Sequence, residues 1–298
     1  EENSGGSPAV QRAAASRADR GGGAALPAAV RERVEALLAQ IRTNAVRDDW
    51  LSLSDRDEVL WARAYALRFL LAWRRHRPDD GGEAVDAGAR SALAALLALQ
   101  PETGVWFHEY GNPFAIATAL QALHGARAAG LEVPQDAIDR GLRALAQNRT
   151  EAGAYSYGQT RAGRAPRASV EGAAGRMPLC ELGLFLHGGS AQERLLASAE
   201  AGRRHHDLLA AVRKYDDHAD RHGYGGFFFW FDMLGRAEAI LALDDAARRR
   251  ALAAQQRDLV LALPEFDGCF VDSHELGRAY GSAMALLCLD VLRRAAAD

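Results

Sequence analysis

Lysine is almost missing from this chain: of 36 basic residues, Lys214 alone is not an arginine. Arginine in its place, with abundant alanine, reads as a GC-rich coding bias, so the arginine count by itself points to no partner. The formal net charge is −3 and no basic block is interleaved with aromatics. That leaves no polycationic surface for nucleic acid and excludes it as a partner. Three cysteines, Cys180, Cys269 and Cys288, are too few and too scattered for a disulfide framework, although one bridge plus a free thiol stays open. No apolar run approaches the roughly 18 residues that cross a membrane, so no span is expected. The period-2 alternation of strands is nearly absent as well, which points to an all-α protein.

The chain opens on "EENSGGSPAVQRAAASRADRGGG", small, polar and glycine-rich, which predicts a flexible tail over 1–26. One repeat domain is expected over 27–298. The start fits either a trimmed chain or a mature, exported form whose signal peptide preceded Glu1.

Helical periodicity fills the rest. "VRERVEALLAQIR" (30–42) is amphipathic, with Val34, Leu37, Leu38 and Ile41 on one stripe, whereas 55–73 is far more apolar. The alternation continues. Amphipathic helices near 88–99, 134–147, 191–213 and 245–262 separate richer ones near 111–126, 172–187, 226–243 and 277–294. A helix apolar nearly all round must be buried on both sides, so the richer set is expected inside and the amphipathic set outside.

The richer helices repeat. "GNPFAIATAL" (111–120), "GRMPLCELGL" (175–184), "GRAEAILAL" (235–243) and "GRAYGSAMAL" (277–286) each begin with glycine and a polar residue. Upstream lie glycine–aromatic corners: "TGVW" (103–106), "AGAY" (152–155), "YGGF" (224–227) and "DGCF" (267–270). These corners and helices resemble the repeats of the terpenoid cyclase and protein prenyltransferase β-subunit superfamily, closest to its bacterial prenyltransferase/squalene oxidase repeat members. The resemblance spans about 55–298. It implies an α/α toroid of about five helical hairpins, inner ring within outer ring, but says little about activity because this fold hosts unrelated chemistries.

Cyclases of that family protonate an isoprene with an Asp-x-Asp-Asp tetrapeptide, and none occurs here. Its prenyltransferases hold zinc with Asp-Gly-Cys and a later histidine. "FDGCF" (266–270) offers Asp267 and Cys269, but the family places that triplet where this chain has "YGGFFFW" (224–230), and no histidine follows near 279–282. His274 could still complete a site, but tetrahedral zinc needs three or four ligands, so no metal is assigned. The sequence names no cofactor.

The densest polar stretch is "KYDDHADRHGYGGFFFWFD" (214–232). Its DDxxD has no second metal motif beside it, and its HxxxH lacks the zincin glutamate. It remains a candidate site at the mouth of the toroid, with Asp217, His218 and Asp232 as acid–base groups and Lys214 and His222 as ligand contacts. His108 and Glu109 from another corner join the catalytic candidates, and Trp106 and Trp230 are expected as aromatic platforms. Arg176, Arg236 and Arg278 share one repeat position, which suggests convergence on an anion; the competing expectation is that each compensates a nearby buried carboxylate. In particular, Asp232 and Arg236 lie at i, i+4 and are expected to face each other. Taken together, these residues point to a protein binding a small-molecule or polymer ligand in a central cavity or rim. The alternative is an enzyme acting on an isoprenoid or carbohydrate by acid–base catalysis.

Overall fold

The computed structural model describes residues 27–45, 58–80, 82–214 and 229–297. The 1–26 tail and Asp217, His218 and His222 lie outside the described residues. Those described are helical throughout apart from loops and one minute hairpin.

Helix α1 (Ala28–Ala45) packs lightly on α2 (Val59–His76) and α3 (Gly82–Ala98). Two ion pairs hold it, Arg77 to Glu35 at 2.5 Å and Arg42 to Asp80 at 2.6 Å. No α1 residue is buried: Val34, Leu37 and Ile41 of its expected stripe are exposed, and only Leu38 packs on the core. Strands β1 (Phe107–His108) and β2 (Tyr110–Gly111) pair antiparallel, His108 opposite Tyr110. Then come α4 (Pro113–Ala128), α5 (Gln135–Ala146), short α6 (Val170–Ala173), α7 (Met177–Phe185), α8 (Gln192–Arg204) and α9 (His206–Ala211). The chain ends with α10 (Phe229–Leu241), α11 (Ala246–Leu261) and α12 (Gly277–Ala297).

The packing follows the two sequence classes. Helices α2, α4, α7, α10 and α12 contact one another in that order, and α3, α5, α8 and α11 pack against them. Every residue of α7 is buried, as is every residue from Pro113 to Leu123 in α4 and from Phe229 to Ala237 in α10. By contrast, α5 buries a single stripe, Ala137, Ile138, Gly141, Ala144 and Leu145. The last helix departs from the expectation of burial on both sides. In α12, Leu286 is 62 % exposed and Leu287 49 %.

Local chemistry sets the ends of these helices. Asn112 caps α4 by accepting the Ala115 N–H at 2.8 Å, with Pro113 in the first turn where a missing N–H costs nothing. Asp245 caps α11 through the Ala247 and Arg248 N–H groups. The glycine corners recur at positive φ, at Gly104, Gly153 and Gly268. At Gly281 the reason is space: a Cβ there would lie 2.5 Å from the Phe270 carbonyl oxygen. All three cysteines are free, so no bridge forms; Cys180 and Cys288 are buried on α7 and α12.

Candidate functional site

Two cavities lie on the five successive helices, one at each end. Residues early in α2, α4, α10 and α12 line one; late residues of α2, α4, α7, α10 and α12 line the other. The five helices therefore run in the same direction.

The first cavity has a volume of about 420 Å³ and is mostly aromatic. Trp61 of α2 is its hub. Its ring stacks on Phe114 at 6.5 Å and meets Phe231 and His108 edge-on at 5.5 and 5.2 Å. Phe114 in turn touches Tyr157 at 5.6 Å, and Tyr157 touches Tyr110 at 6.1 Å. Tyr65 and Tyr280 complete the wall, and Tyr65 is pushed up to about 12, first by burial. Glu58, Glu109 and Glu275 also line it, and among the described lining residues there is no lysine or arginine.

The hairpin is fixed from beneath. Asn112, fully buried, donates through Nδ2 to the carbonyls of His108 and Tyr110 at 3.2 and 3.1 Å while its oxygen caps α4. One side chain thus locks the hairpin to the start of a helix. Glu109 sits at the apex with φ 55, a left-handed conformation that the two-residue strands force on it. His108 lies 3.8 Å from Glu58 through Nδ1.

Behind Phe231, Asp232 is buried at 5 % exposure and its pKa is raised to about 7. Burial is the main cause; Arg176 and Arg236 pull it down and Asp272 pushes it up. No described group is within ion-pair distance of Asp232, so it does not bridge to Arg236 as the i, i+4 spacing suggested. Tyr157 and Tyr280, both in the cavity wall, feel its charge.

The arginines at the shared repeat position part company. Arg176 donates through Nε to the Tyr155 carbonyl and through Nη1 to that of Gly172, both at 3.0 Å, and lies 5.4 Å over the Tyr157 ring. Arg236 turns the other way, toward α8, α9 and α11. It bonds Gln256 at 2.8 Å, the Gly202 carbonyl, and His206 at 3.4 Å. Arg278 sits on the surface, paired with Asp267. The three do not converge. Two carboxylates on α7 and α10, Glu181 and Glu238, pair instead with Arg149 at 2.7 Å and with Arg68.

The expected aromatic platforms are core residues. Trp106 is fully buried and donates to the Leu96 carbonyl at 2.9 Å. Trp230, also fully buried, donates to the Val271 carbonyl at 3.0 Å and packs between Phe229 and Phe270. Lys214 adopts φ 75, gives its N–H to the Asp272 carbonyl at 2.7 Å, and pairs with Glu265 at 2.7 Å. The Asp-Gly-Cys corner is likewise occupied with itself. Asp267 accepts the Cys269 N–H at 3.1 Å and holds Arg278. Among the described residues no group of three histidine, cysteine or carboxylate side chains could hold a metal, and no helix is long and apolar enough to cross a membrane.

Of the residues singled out from sequence, the structure brings His108 and Glu109 into the cavity and puts Asp232 behind it. Trp61, Tyr65, Phe114, Phe231 and Tyr280 were not singled out. The available signal was the pair Trp61 and Tyr65 at i, i+4 in the first two turns of α2. Compared with protein-family models, curated proteins and solved structures, the chain matches none.

Proposed function

We propose that the chain is an α/α toroid of the terpenoid cyclase and prenyltransferase type, and that its aromatic cavity binds a largely apolar, uncharged or cationic ligand. The succession α2, α4, α7, α10 and α12, running in one direction with α3, α5, α8 and α11 against them, supports the toroid. The observation that carries the ligand class is the aromatic network around Trp61, with Glu58 and Glu109 in the same lining. Aromatic faces attract apolar and cationic groups, and carboxylates repel an anionic head. The reading uses neither zinc prenyltransferase chemistry nor an Asp-x-Asp-Asp acid. The tetrapeptide is absent, and the Asp267 carboxylate is engaged by Arg278 and the Cys269 N–H.

Asp232 favours a second reading, an enzyme using general acid catalysis on such a ligand. A carboxyl held near pKa 7 in an apolar site keeps a proton to give at neutral pH.

Titration of tryptophan fluorescence tests the first reading. Farnesol should quench the wild type and lose most of its effect in Trp61→Leu, while cellotetraose should do nothing. Quenching by the sugar alone would reject an apolar ligand, and silence with both would reject the cavity as a binding site. For the second reading, Asp232→Asn should keep farnesol binding and abolish turnover of any isoprenoid found to react; unchanged turnover would reject the acid.

A further inference from the structure

The opposite cavity, at the C-terminal ends of the same five helices, has a volume of about 460 Å³ and a different character. Arg68, Arg74, Arg75 and Arg294 line it against one carboxylate, Glu238. Two of these are spoken for: Arg68 pairs with Glu238, and Arg74 with Asp86 at 3.1 Å. Arg75 and Arg294 have no ion-pair partner among the described residues. Arg294 is the more unusual. Its Nε is buried without a hydrogen-bond partner, and burial and the neighbouring charges of Arg75 and Arg293 lower its pKa, against Asp290 and the cavity's own Glu238. Arginines often sit at helix C-termini simply to offset the dipole, an effect of about 0.3–1 kcal/mol. That accounts for exposed Arg75, not for a guanidinium nitrogen buried unpaired.

A third group faces the same cavity. His124 on α4 is pushed down to about 4, mainly by burial, so its ring is neutral at pH 7. Its Nε2 is buried without a hydrogen-bond partner. With the proton on the other nitrogen, Nε2 is an acceptor. The remaining wall is aliphatic, from Leu71, Leu182, Leu241 and Val291 among others.

We infer that this second cavity binds an oxyanion carried on an apolar chain, of the class of an alkyl phosphate monoester. Arg75 and Arg294 supply the charge and the donor forks that match phosphate oxygens. The buried Nε2 of His124 accepts from the P–OH of the ester's monoanion, the form that a second pKa of about 6 leaves in part at neutral pH, and the aliphatic wall covers the chain. The cavity's location and charge set it apart from the aromatic one, and the inference does not rest on what that one binds.

Calorimetric titration of the full chain tests it, with decyl phosphate kept below its micellar concentration. One molecule should bind per chain. Decanol and inorganic phosphate should each bind about tenfold more weakly or worse, one lacking the charge and the other the apolar contact. Arg294→Gln and Arg75→Gln should each weaken decyl phosphate about tenfold; Trp61→Leu, in the aromatic cavity, should leave it unchanged. Because Arg75 is exposed, its variant preserves the test if Arg294→Gln does not fold. No binding of decyl phosphate, equal affinity for decanol, wild-type affinity in Arg75→Gln, or loss confined to Trp61→Leu would each overturn the proposal.

Discussion

Asp272 caps a helix that it does not belong to: its Oδ2 accepts the backbone N–H of Trp230, in the first turn of α10, at 3.0 Å. The indole of the same tryptophan donates to the neighbouring Val271 carbonyl at 3.0 Å. Two bonds from one residue therefore tie the start of α10 to the loop that leads into α12. Asp272 is fully buried, and its Oδ1 has no partner among the described residues. Burial raises its pKa to about 7, against the pull of the Trp230 N–H and Arg213.

That burial has a pH signature. A carboxyl whose folded pKa lies above its unfolded 3.8 favours folding only while protonated; the contribution is whole at low pH and fades as pH rises toward about 7. Asp272→Asn keeps an oxygen for the Trp230 N–H but cannot ionise. Its stability relative to wild type should therefore rise between pH 4 and pH 7 by urea unfolding. A constant difference would mean that Asp272 titrates normally. Asp272→Ala, which also loses the cap, should be less stable than Asp272→Asn by about 1 kcal/mol at acid pH.

Acid should expose the opposite case in His206. Burial, then the charge of Arg236, lowers this histidine from 6.5 to about 4, with Asp207 opposing. A depressed base favours folding above its unfolded pKa and loses that contribution as pH falls toward the folded one. The wild type should weaken from pH 6.5 down to pH 4, and His206→Gln should weaken less over that window. Parallel profiles for the two proteins would show that the ring is not held neutral.

Among the described residues Glu181 is the most enclosed carboxylate in an ion pair, with a side chain 2 % exposed. It accepts from Arg149 at 2.7 Å, from the Tyr155 hydroxyl at 2.6 Å, and from Ser190. Removing its cation leaves a buried charge uncompensated. Arg149→Met should cost about 3 kcal/mol in chemical denaturation. A loss below about 1 kcal/mol would place the pair with ordinary surface bridges.

Two glycines should respond oppositely to alanine. At Gly281 the new methyl meets the Phe270 carbonyl and, at 2.9 Å, the Asp272 nitrogen, both backbone atoms that cannot swing aside. Gly281→Ala should cost more than about 2 kcal/mol by overpacking. Gly82 opens α3 with nothing within 4 Å of an added Cβ. Gly82→Ala should be neutral or stabilise by up to about 1 kcal/mol. Equal melting temperatures for the two variants would contradict this packing.

The alternation of helix types was legible in the sequence because it depends on local periodicity. A stripe such as Ala137, Ile138, Gly141, Ala144 and Leu145 can bury only one side, whereas Met177–Phe185, all buried, has no polar face to leave in water. The glycine corners were legible for a similar reason, since positive φ is a backbone requirement written at one position. What residues did inside that frame was not. Trp106 and Trp230 resemble exposed platforms in sequence, yet each finds a carbonyl for its indole N–H and so can be fully buried. Arg176, Arg236 and Arg278 occupy one repeat position but meet different neighbours, and each takes the nearest acceptors. The aromatic cavity joins Trp61, His108, Phe114, Tyr157, Phe231 and Tyr280, and the basic one joins Arg75, His124 and Arg294. Those sets are separated by long stretches of chain, and only the packing of five helices brings them together. The sequence determined which surfaces had to leave water; the tertiary structure decided which side chains would meet where they did.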